Sequence, residues 1–577
     1  MAHLWVPKSL PVEIRRSWAN PVHNLRSKSK CSPLVLPPLR PLPQLSWACT
    51  AKALIFAYGM TPILALPAET LLHITADLEH PKDRLSLCLS SKALYSSGLP
   101  SLIQNITLSK LEHVDGLYGS IQERPGLELY IASLTFRGIS YYDGKMQHPG
   151  WLPPSQEGVG QTTPPSELGE KTRYLEQVAT LIRSPNLHTL DLAFAESAFI
   201  LCPSIEQAVA DCKRLTSLRL NQTDNGGLRD GTWRALQSLR SPLRVIELDF
   251  VDFDFQSHGS PFKLLDNFTD SLQEIRIGTS CDDLWFKPES VWPKVHTFAF
   301  LGYCNVKAAT LENAFPALKT LAFPNDPWYI FSDSRDSNRS HQFKKWKRLH
   351  SMRGHIVYIY RLGLIDIPVD TLVIEITNET GNSWELEVSD FMETNRVRCL
   401  DLTTWDCKLP ILGSGSQHLT TLIMSIWYLP YAPQRIFTEP VSFSIGALTL
   451  TAHQWHWQEL LSHIMSNCRS LQIIDISCHR LNKSFRYVNA DVEKLDLRAH
   501  DRLLAHLARS IHSLSYIRII REEVEWMRNW FCFDRHGPSP TARLASKDDE
   551  RRINQIRLGK WFIVEEYTLP MTRRYHG

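Results

Sequence analysis

The chain has 577 residues, of which 43% are apolar, enough for a large core or for several domains. Its 63 Lys and Arg residues against 60 Asp and Glu residues leave a formal net charge of +3, and this balance argues against a nucleic-acid-binding protein. The longest apolar run, residues 53–66, contains Pro62 and is too short and too interrupted to span a bilayer. We therefore expect neither nucleic acid nor membrane among its partners.

The positive charge is concentrated at the N-terminus. Residues 1–60 hold eight basic residues and one acidic residue, Glu13, so the rest of the chain carries a net charge of about −4. Their Pro, Ser and Arg content predicts a disordered basic segment. Two alternatives remain open. One is a mitochondrial transit peptide, although the prolines would interrupt the amphipathic helix that such a peptide needs, and the other is a translation start at Met60.

Twelve cysteines are scattered along the chain without a Cys-x-x-Cys motif, which is typical of reduced thiols and predicts a cytoplasmic and/or nuclear protein. The densest group of potential metal ligands lies between His453 and His479. Only His456 and His463 of this group share a helical face, so we expect no metal site.

The apolar pattern of residues 66–102 predicts a small helical module. Pro67 lacks an N–H and suits the first position of a helix, and apolar residues recur after it at three- and four-residue steps as far as Leu78. Pro81 begins a second helix, which Gly98 is expected to end. The second helix carries two apolar stripes. A module of about forty residues cannot bury both stripes internally, so one of them should contact another surface.

The Leu66-Pro67-x-Glu69 start, the leucine spacing and the Ser-Lys-Ala-Leu-Tyr ending resemble an F-box, the helical module that docks on the Skp adaptor of cullin-RING ubiquitin ligases. Ser90-Ser91 departs from the Val-Ser pair more usual in that family. The resemblance covers residues 61–102, and the alternative is an ordinary helical hairpin packed on its own chain. The adaptor-binding residues that the resemblance implies are Leu66, Pro67, Glu69, Leu72, Ile74, Leu78, Leu85, Leu87 and Leu94.

An apolar pattern, φ-x-x-φ-x-φ with φ an apolar residue, recurs fifteen times between Ile103 and Ile519. Apart from two doubled gaps, successive copies lie 21 to 29 residues apart. This spacing resembles the leucine-rich repeat, in which a short strand is followed by a helix or a looser return. The first residues of the triplets are Ile103, Ile131, Leu187, Leu215, Leu243, Leu272, Val295, Leu318, Val369, Val397, Leu419, Ile445, Leu471, Val492 and Leu514.

Helical returns between the triplets indicate a parallel sheet lined by helices. We therefore predict an α/β fold, with a small all-α F-box-like module followed at 103–520 by a leucine-rich-repeat-like solenoid, or horseshoe, of parallel strands. The last two apolar residues of each triplet should pack inward, so the residue between them should face outward. These outward residues are candidates for target binding: Asp191, Arg219, Glu247, Arg276, Asp401, Asp475 and Asp496.

The two doubled gaps predict different features. Residues 141–169 are rich in Pro and Gly and predict an exposed loop. Residues 324–362 predict an irregular insertion, whose basic run from Lys344 to Arg348 is either an anion-binding cluster or a solvated helix face. Beyond Ile520, we predict a charged helix over 521–533, a last strand over 558–569, and a C-terminal cap comprising 521–577 as a whole.

No Gly-rich phosphate loop, His-Glu-x-x-His or Gly-x-Ser-x-Gly motif occurs, so we expect no enzyme and no cofactor. The resemblance implies a substrate-recognition subunit of a Skp-cullin-F-box E3 ubiquitin ligase, a monomer within the complex. Its partners would be the Skp-family adaptor of a cullin-RING ligase and a target protein of unknown identity. The alternative is a leucine-rich-repeat interaction scaffold outside the ubiquitin system, with the N-terminal hairpin as a cap.

Overall fold

The computed structural model divides into two units, residues 1–254 and 255–577, and both are mixed α/β with mainly parallel strands. The residues that it describes are 68–78, 81–137, 165–221, 230–250, 261–279, 289–301, 307–324, 343–364, 367–376, 384–404, 414–428, 444–445, 448–449, 464–480, 497–521, 530–535 and 540–553.

Three helices begin the first unit: α1 (Ala68–Ala76), α2 (Pro81–Leu89) and α3 (Lys92–Ile103). The predicted second helix is therefore two helices, because Ser91 has extended backbone angles and its Oγ accepts a hydrogen bond from the N–H of Leu94 at 3.1 Å. This N-cap starts α3 where the sequence suggested a continuous helix.

The prediction that Gly98 ends a helix is wrong, because Gly98 is buried inside α3. A Cβ atom at this position would overlap the Sγ atom of Cys88 and lie 3.0 Å from Cγ2 of Thr75. Glycine therefore serves close packing here, and it lets α3 approach both preceding helices.

The rest of the first unit alternates strands and helices. Neighbouring strands β1 to β5 pair in parallel, and their triplet residues Ile106, Leu134, Leu190, Leu218 and Ile246 stand side by side in register. Helices of successive repeats pack on one another, which makes a helical layer beside the sheet. The elements are β1 (Asn105–Leu108), α4 (Leu111–Glu123), a 3-10 helix (Leu127–Tyr130), β2 (Ser133–Phe136), α5 (Pro165–Ile182), β3 (Thr189–Ala193), α6 (Ala195–Leu201), α7 (Pro203–Asp211), β4 (Ser217–Asn221), α8 (Asp230–Ser238) and β5 (Val245–Phe250).

The second unit continues the same alternation. Its parallel strands β6 to β12, β15 and β16 keep one register, with a fully buried apolar residue at each paired position from Ile275 to Ile517. The elements are a 3-10 helix (Pro261–Phe268), β6 (Glu274–Thr279), β7 (Thr297–Phe300), α9 (Ala308–Ala314), β8 (Thr320–Ala322), β9 (Leu349–Gly354), α10 (Ile356–Arg361), β10 (Val369–Ile376), α11 (Trp384–Asn395), β11 (Cys399–Thr404), a 3-10 helix (Ser414–His418), β12 (Thr421–Tyr428), β13 (Ser444–Ile445), β14 (Leu448–Thr449), β15 (Ile473–Arg480), α12 (Leu497–Ser510), β16 (Tyr516–Arg521), β17 (Phe531–Asp534) and β18 (Thr541–Leu544).

Strands of the long, mainly parallel sheets lie at thirteen of the fifteen predicted triplets. The triplet at Ile445 falls instead in the antiparallel hairpin of β13 and β14, and Leu497, the end of another triplet, begins helix α12. The supposed irregular insertion at 324–362 contains a further parallel strand, β9, which pairs with β8 and β10.

Two boundary predictions also need correction. Residues 165–169, assigned to a loop, begin helix α5, and Phe531, assigned to a charged helix, begins strand β17. Strands β17 and β18 pair antiparallel after β16, so the strand direction changes at the C-terminal end of this sheet. The strand predicted at 558–569 lies outside the described residues.

Candidate functional site

The three N-terminal helices separate their apolar residues into two groups. Leu71, Thr75, Cys88, Leu94 and Gly98 are buried and form the centre of the module. Leu94, one of the predicted adaptor residues, is 1% exposed and belongs to this centre. Five other predicted adaptor residues are only half-buried: Leu72, Ile74, Leu78, Leu85 and Leu87.

The remaining predicted adaptor residues lie at the start of the module. Leu66 and Pro67 are outside the described residues, and Glu69 lies in α1, where only its backbone is described.

A single arginine joins the three helices. Arg84 in α2 donates from Nε to the carbonyl of Leu78 at 2.6 Å and from its guanidinium to the carbonyl of Ser101 at 3.5 Å. Cys88 packs in the centre between the helices, where burial raises the pKa of its thiol to about 11. Because that thiol stays neutral near pH 7, Cys88 is a packing residue and not a nucleophile.

A cleft of about 320 Å³ lies where the helical module meets the first strands. Leu129 and Tyr130 on its rim are 49% and 47% exposed, and sequence reasoning missed them because they precede the second triplet. Asn186 fixes this rim by donating from Nδ2 to the Leu129 carbonyl at 2.6 Å. The lining residues are Leu72, Pro100, Ser101, Gln104, Leu129, Tyr130, Ala132, Asn186 and His188.

In the first unit, the predicted target-binding residues stand together on one sheet face. Asp191, Arg219 and Glu247 occupy paired positions on β3, β4 and β5. Arg219 and Glu247 form an ion pair at 3.6 Å, and all three side chains are half-buried. Their charges alternate in sign, so they satisfy one another along the face.

In the second unit, the predicted target-binding residues are not exposed. Arg276, Asp401 and Asp475 are 6%, 9% and 3% exposed, and their predicted role in target binding stays a prediction. Asp496 lies outside the described residues.

The burial of Asp475 has a clear structural cause. Arg518 on β16 donates from Nε and a terminal nitrogen to its two carboxylate oxygens at 2.8 and 2.6 Å. The same guanidinium lies 4.6 Å from the ring centre of Trp530, and Trp530 packs with Ile473 and Ile553. Trp530 and Ile553 therefore pack on the last parallel strands, β15 and β16.

The basic run at 344–348 is anchored in the second unit. Trp346 is buried and donates from Nε1 to the carbonyl of Phe315 at 2.7 Å, while the buried carboxylate of Glu312 accepts the N–H of Lys344 at 2.6 Å. Arg348 pairs with Asp370. The aromatic residue of the run therefore belongs to the core. Residues 343–348 form no helix, so the predicted helix face is wrong, while Lys344, Lys345 and Lys347 are exposed and the anion-binding cluster stays a prediction.

The part of the chain that the structure describes contains no group of three or more His, Cys, Asp or Glu side chains arranged to hold a metal ion, and no helix in it has the length and apolarity needed to cross a membrane. His453, His456 and His463 lie outside it. Six of the cysteines in this part are buried free thiols: Cys88, Cys202, Cys212, Cys399, Cys468 and Cys532.

The chain matches no protein-family model and no curated protein sequence.

Proposed function

We propose that this chain is the substrate-recognition subunit of a Skp-cullin-F-box ubiquitin ligase. In this proposal, residues 66–102 dock on the Skp adaptor, and the parallel strands and helices that follow form a leucine-rich-repeat-like solenoid that holds a target protein. The supporting observation is the division of apolar residues in α1 to α3. One group closes a small centre, while Leu72, Ile74, Leu78, Leu85 and Leu87 stay half-exposed, as a protein-docking surface requires.

The proposed mechanism is a tether. The receptor forms no bond itself, but by holding the target near the ubiquitin-conjugating enzyme it raises the effective concentration of the two reactants. Neither a cofactor nor a catalytic residue is needed for this role. Buried free thiols suit a reducing compartment, so we propose a cytoplasmic or nuclear site of action.

The test compares binding of purified Skp adaptor to wild type and to the double variant Leu85→Asp/Leu87→Asp. Both leucines lie on α2 and are half-buried, so the variant should weaken adaptor binding at least about tenfold. The matched control is Leu544→Asp, which changes an exposed leucine on β18 and should bind like wild type. Circular dichroism confirms that each variant is folded. Failure of the wild type to bind the adaptor would reject the proposal.

A second candidate is an interaction scaffold in which the helices only cap the repeats. It is favoured by the packing of α3 against β1 and against the 3-10 helix Leu127–Tyr130. Under this alternative, Leu85→Asp/Leu87→Asp would lower the free energy of unfolding of the first unit while adaptor binding would be absent from the wild type as well.

A further inference from the structure

Basic side chains recur at one position of successive repeats in the second unit. His296, Lys319, His350 and Arg398 each follow the buried residue that opens a repeat, and all four are exposed. With Lys294 and Arg396, which flank the same turns and are also exposed, they define what we call the basic ridge.

Backbone hydrogen bonds place these residues side by side. The carbonyl of His296 accepts the N–H of Lys319 at 2.9 Å, and the carbonyl of Lys319 accepts the N–H of His350 at 2.7 Å. The carbonyl of Asp370 accepts the N–H of Arg398 at 3.0 Å, which continues the row by two strands. Since neighbouring strands are about 4.8 Å apart, the ridge from β7 to β11 is about 19 Å long.

The one acidic residue in this row is already neutralised. Asp370 lies between His350 and Arg398 in the register and pairs with Arg348, while Nδ1 of His350 is 3.8 Å from its second carboxylate oxygen. The ridge residues Lys294, Lys319, Arg396 and Arg398 therefore keep their positive charge for an external partner.

Helix dipoles account for only part of this pattern. Cations are favoured in the last turn of a helix, as for Arg396 directly after α11. Lys319, however, lies five residues beyond the end of α9, and a turn at 316–317 separates the two. Its position is outside the range over which a helix terminus stabilises a charge.

We propose that the basic ridge binds an extended Asp/Glu-rich segment of a partner protein. A chain rising about 3.3 Å per residue would cover the ridge with about six residues. Single-stranded nucleic acid is disfavoured, because its binding depends on exposed aromatic rings. Among the described residues, Trp292 and Trp346, which lie two residues before Lys294 and four before His350, are both buried, and the indole N–H of Trp346 is bonded. Val291, exposed three residues before Lys294, offers an apolar contact beside the charges.

This inference rests on the proposed function, because it takes the protein that binds the ridge to be the target of the ligase. The probe is a fluorescein-labelled peptide of alternating Glu and Ser, about twelve residues long, so that it exceeds the ridge. Binding to the full chain is measured by fluorescence anisotropy at low and physiological salt. We expect binding that weakens with salt, because exposed charges are screened.

The deciding variant is Lys319→Glu/Arg398→Glu, which should weaken peptide binding about tenfold. Its matched control, Lys263→Glu/Lys547→Glu, makes the same change of net charge at exposed positions of the same unit and should leave binding unchanged. Both variants should retain adaptor binding, so failure of the ridge and failure of the adaptor proposal are distinguishable.

Three results would overturn the assignment. They are no measurable binding of the peptide, an equal loss in the ridge and control variants, and tighter ridge-dependent binding of an oligothymidylate of equal length. The last result would make the ridge a nucleic-acid surface.

Discussion

Gly98 controls how closely α3 approaches the two helices before it. Replacing it with alanine would force the new Cβ against Cys88 and Thr75, and we expect the free energy of unfolding to fall by about 1–3 kcal/mol. The measurement is urea denaturation followed by circular dichroism. Gly119→Ala is the control, since nothing lies within 4 Å of a Cβ there and alanine should stabilise α4 by about 0.5–1 kcal/mol. Equal effects of the two substitutions would contradict this packing.

Asp549 makes the C-terminal segment sensitive to acid. The Arg543 guanidinium, together with the hydroxyl and N–H of Ser546, holds the pKa of this carboxyl well below its usual range. Ser546 in turn accepts the N–H of Asp549 at 3.2 Å, which closes a capping box at the start of the helix over 547–553.

Because the folded-state pKa of Asp549 is lowered, folding favours its ionised form. Its stabilisation is complete above the ordinary aspartate pKa of about 3.9 and is lost as the pH falls below that value. We expect Asp549→Asn to increase amide hydrogen exchange over 540–553 at pH 7, with a difference from wild type that shrinks below about pH 4. The comparison uses exchange rates corrected for pH. A difference that grows on acidification would show that folding does not lower the pKa of Asp549.

At the scale of the elements, buried glutamates connect successive repeats. Glu196 in α6 accepts the N–H groups of Gly231 and Thr232 at 2.8 and 3.0 Å, and the Thr232 hydroxyl at 2.8 Å. It therefore caps the N-terminus of α8, where a negative charge is favourable. Glu312 in α9 similarly accepts the N–H of Lys344 from the stretch that precedes β9.

Removing the Glu196 carboxylate should remove the connection between α6 and the N-terminus of α8. Glu196→Ala leaves buried donors without an acceptor, and we expect a loss of about 3 kcal/mol in the free energy of unfolding. Glu206→Ala on α7 removes an ion pair with the exposed Arg234 and should cost less than about 1 kcal/mol. Denaturant unfolding of both variants provides the test, and a loss for Glu196→Ala as small as the control would exclude the capping role.

The strands were predictable because each buries two apolar residues that are two positions apart. Strand β9 escaped this pattern, since Gly354 stands where the third apolar residue was required. At 354 the backbone has a φ of 145° and a Cβ would lie 2.8 Å from the Cβ of Phe323, so packing against the preceding repeat selected glycine.

The candidate site was less predictable than the strands. Alternation correctly places Asp475 on the face opposite the triplet residues, yet its burial depends on Arg518 and Trp530, which are 43 and 55 residues further along the chain. Ser91 and Gly98 misled the helix boundaries for different reasons: Ser91 is a local N-cap of α3, and Gly98 permits the close approach of Cys88 and Thr75. The half-burial of Leu85 and Leu87 likewise depends on how three helices pack and not on spacing alone.

At the scale of the whole molecule, we propose different partners for different surfaces. In this proposal, the half-buried leucines of the N-terminal helices contact an adaptor, and the basic ridge of the second unit binds an acidic segment. Substitutions in one surface should therefore leave the affinity of the other unchanged, because the two surfaces belong to different units of the chain.

The most direct test of the central claim is size-exclusion chromatography with light scattering of the full chain mixed with purified Skp adaptor. We predict a stable complex containing one copy of the 66.2 kDa chain and one adaptor, which Leu85→Asp/Leu87→Asp dissociates and Leu544→Asp does not. Separate elution of the wild-type chain and the adaptor would contradict the account.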